Sequence, residues 1–306
     1  MRSIVTGGAG FIGSHLVDYL VGAGDDVIVI DSLISGDLNS IKNHLDEKRV
    51  TLVSADLLSD SWQEYLSGAD RVYHLAADPD VRESSVAPEK QLNNTIIATH
   101  RVLEAMRKAC VPEIVFTSTS TVYGEASVIP TPESYTPMEP VSVYGASKLA
   151  CEALISAYSH SFSMRSWIFR FANIIGARSG HGVITDFIRK LKENPHELEI
   201  LGDGNQTKSY LEVRECIRAI MYVVSHTRDP VNTYNIGSED WISVTEIADI
   251  LCSEMGLSPQ YHYTGGSRGW IGDVPKMQLD ISRLKNLGYV PDITSRESVR
   301  IAVRAA

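Results

Sequence analysis

Several absences in this chain each close off a class of function. No cysteine stands in a C-x-x-C pair: Cys110, Cys151, Cys216 and Cys252 lie far apart. That argues against a disulfide framework and fits reduced thiols in a cytoplasmic protein. No cluster of His, Cys and carboxylates has ligand spacing, so no metal is expected. No apolar stretch approaches the roughly 20 residues needed to span a bilayer, and the first strand begins by residue 3, leaving no room for a signal peptide. Basic charge is scarce: 28 Lys and Arg stand against 38 Asp and Glu, a formal charge of −10. A general nucleic-acid surface would need the opposite balance. Repeats and low-complexity linkers are missing too. What remains is 306 residues, 43% hydrophobic and 22% charged, more chain than one core requires. One large domain with an appended lobe is the expectation.

The N-terminal half alternates short β-branched runs with longer helical patterns. Strands are expected over Ser3–Thr6, Asp26–Asp31, Val50–Ser54, Arg71–Leu75, Glu113–Thr117 and Ser166–Phe171, with helices near Phe11–Val21, Trp62–Leu66, Pro88–Ala109 and Tyr144–His160. Such alternation predicts βαβ units and an α/β, doubly wound parallel sheet of the Rossmann type. The pattern changes near residue 175. Residues 1–175 read as a dinucleotide-binding domain, with a later element allowed to return to it. Residues 176–306 read mainly as a smaller mixed α/β substrate lobe, with helices near Val183–Lys192, Arg214–Ser225 and Val244–Met255.

Gly7, Gly10 and Gly13 follow the apolar run Ser3-Ile4-Val5 and open an amphipathic stretch. In that context Gly7 permits a tight turn, Gly10 a close approach to pyrophosphate, and Gly13 close helix–strand packing. The helix N-terminus favours the diphosphate. Asp31 ends the second strand 18 residues after Gly13. A carboxylate there accepts from both ribose hydroxyls and repels a 2′-phosphate, so NAD is expected rather than NADP. Asp56 and Leu57 are placed to reach the adenine, although a lone carboxylate after a strand is more often a loop cap. Leu75, Ala76 and Ala77 offer small side chains where the cofactor backbone must pass.

Tyr144 and Lys148 are four residues apart, so they share a helix face. A nearby ammonium favours phenolate, and the pair is expected to lower the tyrosine pKa from about 10. A phenol so tuned takes and returns a proton from a sugar hydroxyl. The run Phe116-Thr-Ser-Thr-Ser-Thr-Val-Tyr-Gly124 places hydroxyls at a strand's C-terminal end, where open α/β sheets bind ligands.

With Gly7–Gly13, His74–Ala77, Thr117–Gly124 and Tyr144–Lys148 in place, the chain resembles the extended short-chain dehydrogenase/reductase family over nearly its whole length. Within that family it looks most like the shorter, archaeal-type UDP-glucose/UDP-galactose 4-epimerases. The resemblance implies Tyr144 as acid/base, Lys148 as its ribose-binding partner and Thr119 as the hydroxyl that bonds the reacting oxygen. It implies a cofactor site that also takes in Phe11, Ile12, Ser32, Ser35, Gly36, Asn94 and Thr117. Relatives that remove water carry Asp-Glu after the threonine; this chain has Ser120-Thr121, which disfavours dehydratase and decarboxylase chemistry.

For a UDP-hexose substrate the resemblance implies Asp80, Arg82, Thr119, Asn173, Val183, Lys208, Tyr210, Arg268 and Asp273. Lys208 stands where relatives usually keep an arginine, and Lys cannot make a bidentate fork to phosphate. A homodimer through helices 88–109 and 144–160 is also implied, with Leu103, Met106, Ala109, Cys151, Leu154 and Ile155 as its face.

Overall fold

The computed structural model describes every residue except Asp80, Arg82 and Ile271. Its chain divides into two units. The first comprises Met1–Val122, Ser142–Arg170 and Val224–Tyr234, the second Tyr123–Val141, Phe171–Val223 and Asn235–Ala306.

The first unit is built on a seven-stranded sheet. β1 (Arg2–Thr6) lies between β2 (Asp26–Asp31) and β4 (Arg71–His74), and β3 (Val50–Ser54) flanks β2. Beyond β4 come β5 (Glu113–Thr119), β6 (Arg165–Phe171) and the strand Val231–Ile236. β1 pairs in parallel with both neighbours, Thr6 lying opposite Ile30 on one side and His74 on the other. The strand order therefore reverses between β1 and β4, and the crevice beyond their carboxyl ends is where such sheets bind ligands. Strands such as Val27–Ile30 are apolar on both faces because helices cover both. Ile4, Ile28, Ile30, Val72, Val102, Leu103, Ile114, Phe116, Cys151 and Ile155 belong to one buried cluster. Each fully buried aliphatic side chain of this kind contributes about 1.5–3 kcal/mol.

Two departures from the expected elements bear on the site. β5 continues two residues past Thr117, so Thr119 ends a strand rather than entering a loop. The helix expected over Pro88–Ala109 is three pieces: Pro88–Gln91, a π-helical turn Leu92–Ile97, and Ala98–Ala109. A π turn inserts one residue without interrupting the apolar pattern, so periodicity does not reveal it.

In the second unit Asn173–Ile175 pairs with Tyr210–Glu212, and Glu197–Ile200 with Gln260–Tyr263, both in parallel. Thr207–Lys208 lies between Ile242–Ser243 and Lys276–Met277. Helix Val244–Met255 starts with a capping box between Ser243 and Glu246 and ends at Gly256, φ +67°. Its apolar face meets Phe187, Leu191, Leu198, Ile200, Tyr210 and Val299 in a separate core.

Candidate active site

The glycine loop follows from steric necessity. Gly7 has φ +71°, and a Cβ there would lie 2.7 Å from the Ala76 amide nitrogen at the end of β4. A Cβ on Gly13 would collide with the Gly7 carbonyl oxygen. Gly10 leads into helix Phe11–Gly22 with no side chain capping it. Its first-turn N–H groups, with Phe11 and Ile12 among them, are thus left to an anion. Leu75, Ala76 and Ala77 are partly buried beside this loop, and the Ala76 amide donates to Thr6 Oγ1 at 3.4 Å.

Asp31 is buried, its Oδ2 accepting from the Ala9 amide at 2.9 Å and its Oδ1 from Leu33 at 2.8 Å. These bonds aim the carboxylate and leave acceptor capacity on both oxygens for two hydroxyls. A Cβ on Gly36 would come within 2.9 Å of Oδ1, so glycine there keeps the carboxylate uncovered. Ser32 and Ser35 are exposed beside it. The unfilled glycine cradle, the uncapped helix and the oriented carboxylate fit a dinucleotide carrying a free 2′-hydroxyl. Of the adenine candidates, Leu57 is buried, while Asp56 is exposed and accepts from the Leu58 amide at 2.8 Å, the loop-capping use. Asn94 is exposed; on the same turn Thr95 is buried and its carbonyl accepts from Cys151 Sγ at 3.5 Å. The inward register of this turn belongs to Thr95.

Tyr144 occupies the first turn of helix Val143–Phe162, whose start is fixed by Ser142 accepting from the Gly145 amide. Thr119 lies close enough to the phenol to favour its charged form. Thr119 is in turn held by the Thr121 amide at 3.1 Å. Lys148 Nζ donates to the Thr117 carbonyl at 2.9 Å and lies 4.8 Å from the centre of the Phe116 ring. The expected lowering of the tyrosine pKa is not what the site produces. Burial pushes the Tyr144 phenol up to about 12, Thr119 pulls against that, and the Asp78 carboxylate adds to the rise. The cause is geometric: the ammonium is drawn to the end of β5 rather than to the phenol, so desolvation wins. Burial also acts on Lys148, bringing it down to about 8 despite Cys151 and Glu152.

His74 was singled out only as part of a motif, yet it organises the interior beneath this site. One ring nitrogen meets Thr6 Oγ1 at 2.7 Å and the other Thr99 Oγ1 at 2.9 Å. Cys151 Sγ reaches Thr99 Oγ1 at 3.2 Å. Burial, with Lys148 nearby, holds His74 down to about 3, so the ring is neutral and works by hydrogen bonding alone. Thr6 ends β1 and Thr99 lies in helix Ala98–Ala109, positions that no sequence motif marks.

In the second unit the substrate candidates Lys208, Arg268 and Asp273 come together. Lys208 Nζ lies 2.5 Å from Asp273 Oδ1 and 5.1 Å from the centre of the Trp270 ring. Arg268 donates to the Asp273 carbonyl at 2.7 Å and pairs with Glu125 at 2.6 Å. Two cations are thus balanced by two carboxylates, one of them buried. Asn173 Nδ2 donates to the Ser209 carbonyl at 3.2 Å. Val183 opens helix Val183–Glu193 and is partly buried. Tyr210 is packed in the second core, where burial raises its phenol. Asp80 and Arg82 lie outside the described residues.

The helix face expected to form a dimer is otherwise engaged. Leu103, Met106, Cys151 and Ile155 are buried in the first unit's own core, and Ala109 and Leu154 pack against it. An apolar stripe says that a helix is covered, not by what. The exposed apolar residues of these helices are Leu92, Ile97, Val143 and Phe162.

Comparison with known proteins agrees with the fold. Residues 3–237 match the model of the NAD dependent epimerase/dehydratase family. A putative UDP-glucose 4-epimerase of Methanocaldococcus jannaschii is 34% identical, over 98% of this chain and 96% of its own. The crystal structure of a UDP-galactose 4-epimerase superposes with a TM-score of 0.90 at 41% identity, covering 100% of this chain and 98% of that one. A UDP-glucuronic acid 4-epimerase from Bacillus cereus, in complex with UDP-glucuronic acid and NAD, gives 0.90 at 28% identity, covering 100% and 98%. The chain belongs to the NAD-dependent epimerase/dehydratase family, as an isomerase that works with NAD on a Rossmann-type sheet.

Proposed function

We propose that the protein interconverts UDP-glucose and UDP-galactose by inverting C4 through a transient 4-keto sugar. The observation that carries this reading is Thr119 at the end of β5 placed beside the Tyr144 phenol, with the Lys148 ammonium held at the Thr117 carbonyl and Ser120-Thr121 following in place of an acid pair. Such a site moves one proton at one hydroxyl, and Ser120-Thr121 supplies no acid pair there for eliminating water or carbon dioxide. NAD, when bound, supplies the acceptor and donor of the C4 hydride, and Gly7–Gly13 and Asp31 would hold it. Tyr144 takes the O4 proton as the ketone forms and returns it as the alcohol re-forms. Thr119 holds the oxygen in line with the phenol. A phenol at about 12 is a poor base in isolation; the positive charge of a bound nicotinamide would favour its ionised form. Lys148 adds donors for the ribose.

Recognition of the UDP diphosphate we assign to Lys208 and Arg268, whose present carboxylate partners would share them with the ligand. Asp80 and Arg82 remain candidates by sequence for the sugar. We assign the working form to a homodimer, with Leu92, Ile97, Val143 and Phe162 supplying the covered face. We place it in the cytoplasm, where four free thiols remain reduced; among the described residues no helix is long and apolar enough to cross a membrane.

The direct test is incubation of the purified protein with UDP-galactose, with no NAD added, followed by product separation. UDP-glucose is the expected product. No turnover of UDP-galactose or of UDP-N-acetylgalactosamine would overturn the reading.

A further inference from the structure

One buried ion pair takes no part in the chemistry above. Glu152 lies one helical turn beyond Lys148 and two beyond Tyr144, and it is buried together with Arg170 of β6. Arg170 grips both carboxylate oxygens, with Nη2 at 2.7 Å from Oε2 and Nε at 3.1 and 3.2 Å from Oε1 and Oε2. Ser118 Oγ donates to Oε1 as well. Ser118 is the residue between Thr117, whose carbonyl takes the Lys148 ammonium, and Thr119, which lies beside the Tyr144 phenol. One carboxylate therefore joins the helix that carries the phenol to two adjacent strands.

A buried ion pair is a weak source of stability, since apolar residues of similar volume often do as well. What apolar residues could not do is fix three elements in one register through directed bonds. We propose that Glu152 is a positioning residue for the reaction: clamped by Arg170, it holds the strand end bearing Thr117 and Thr119 in register with Tyr144 and Lys148. The proposal rests on the assignment of Tyr144 and Lys148 made above.

Glu152 has a second, electrostatic effect at the same place. Lys148 is faced by Cys151 and Glu152 from its own helix, by the neutral His74 from β4, and by the Thr117 carbonyl and Phe116 ring from β5. Of these, Glu152 is the carboxylate that opposes loss of the Lys148 charge. Without its charge, Lys148 releases its proton at lower pH, and activity that needs the ammonium is lost from the alkaline side earlier.

The experiment compares the wild-type protein with Glu152→Gln, Glu152→Asp and the double variant Glu152→Gln/Arg170→Met, recording thermal melting and the pH dependence of kcat and KM. The alkaline limb is expected to move down by about one pH unit in Glu152→Gln, the scale of a lost neighbouring charge, with kcat falling and KM little changed. Glu152→Asp should keep the wild-type limb. The double variant, which leaves no unpaired buried charge, should melt near the wild type and keep the displaced limb and low kcat. A double variant with wild-type melting, wild-type kcat and an unmoved limb would reduce the pair to a structural role and overturn the proposal. Tyr144→Phe separates the two claims. If it still turns over UDP-galactose, the assignment of the site fails; if it is inactive while Glu152→Gln behaves as wild type, only the role of Glu152 fails.

Discussion

Lys148 in the first unit and Lys208 in the second are the lysines assigned functional roles, and they are held in opposite ways. Lys148 leans on a backbone carbonyl and an aromatic face, and burial draws its pKa down to about 8. Lys208 is locked to the buried carboxylate of Asp273 at 2.5 Å. The first arrangement leaves a cation that a neighbouring reaction can tune. The second holds its cation in an ion pair with which an anion would have to compete. A lysine's role is thus set less by its own position than by what compensates its charge.

The largest effect should fall on the phenol. Tyr144→Phe removes the only proton carrier assigned at the reacting hydroxyl, and kcat should drop by about 10²–10⁴-fold, the range of general acid–base catalysis. Melting should be almost unchanged, because Phe fills the same space. A variant within tenfold of the wild type would show that Lys148 and Thr119 do not depend on the tyrosine.

Gly13→Ala comes next. Its Cβ meets the Gly7 carbonyl, which belongs to the backbone and has no rotamer by which to move aside. Overpacking of this kind costs about 1–3 kcal/mol. The cost here falls on the loop that would hold the diphosphate, so purified protein should retain much less NAD by absorbance and melt lower. Full retention would mean that the loop does not bind the cofactor.

Lys208→Met should have the smallest effect, confined to binding. Loss of one charge-assisted bond to phosphate is worth about a tenfold rise in KM, with kcat within a factor of two, the signature of uniform binding. Because the single variant strands Asp273, Lys208→Met/Asp273→Asn is the sharper comparison: it should recover melting temperature but keep the raised KM. Recovery of both would make the pair structural and remove Lys208 from the substrate.

How much of this was legible in the sequence follows the range of the contacts. Gly7, Gly13 and Asp31 were readable because their constraints are local, one turn and one strand end. Roles for Tyr144 and Thr119 were expected only through the family pattern, and no periodicity shows that β5 runs on to Thr119. The pKa of Tyr144 was misread because spacing on a helix reports which face Lys148 shares and not which acceptor its ammonium prefers. The dimer face was misread for a similar reason: Leu103 and Ile155 are apolar because their own sheet covers them. Asp273 as the partner of Lys208, 65 residues away, and Arg170 with Ser118 around Glu152 are products of tertiary folding that no window of sequence contains.

The central claim is that one hydride leaves C4 and returns to the same carbon while Tyr144 shuttles the proton. It is tested most directly with UDP-galactose deuterated at C4, incubated with the protein in ordinary water without added NAD. The account predicts UDP-glucose with the deuterium retained at C4. Deuterium lost to water, or product that forms only as free NAD is consumed, would contradict it.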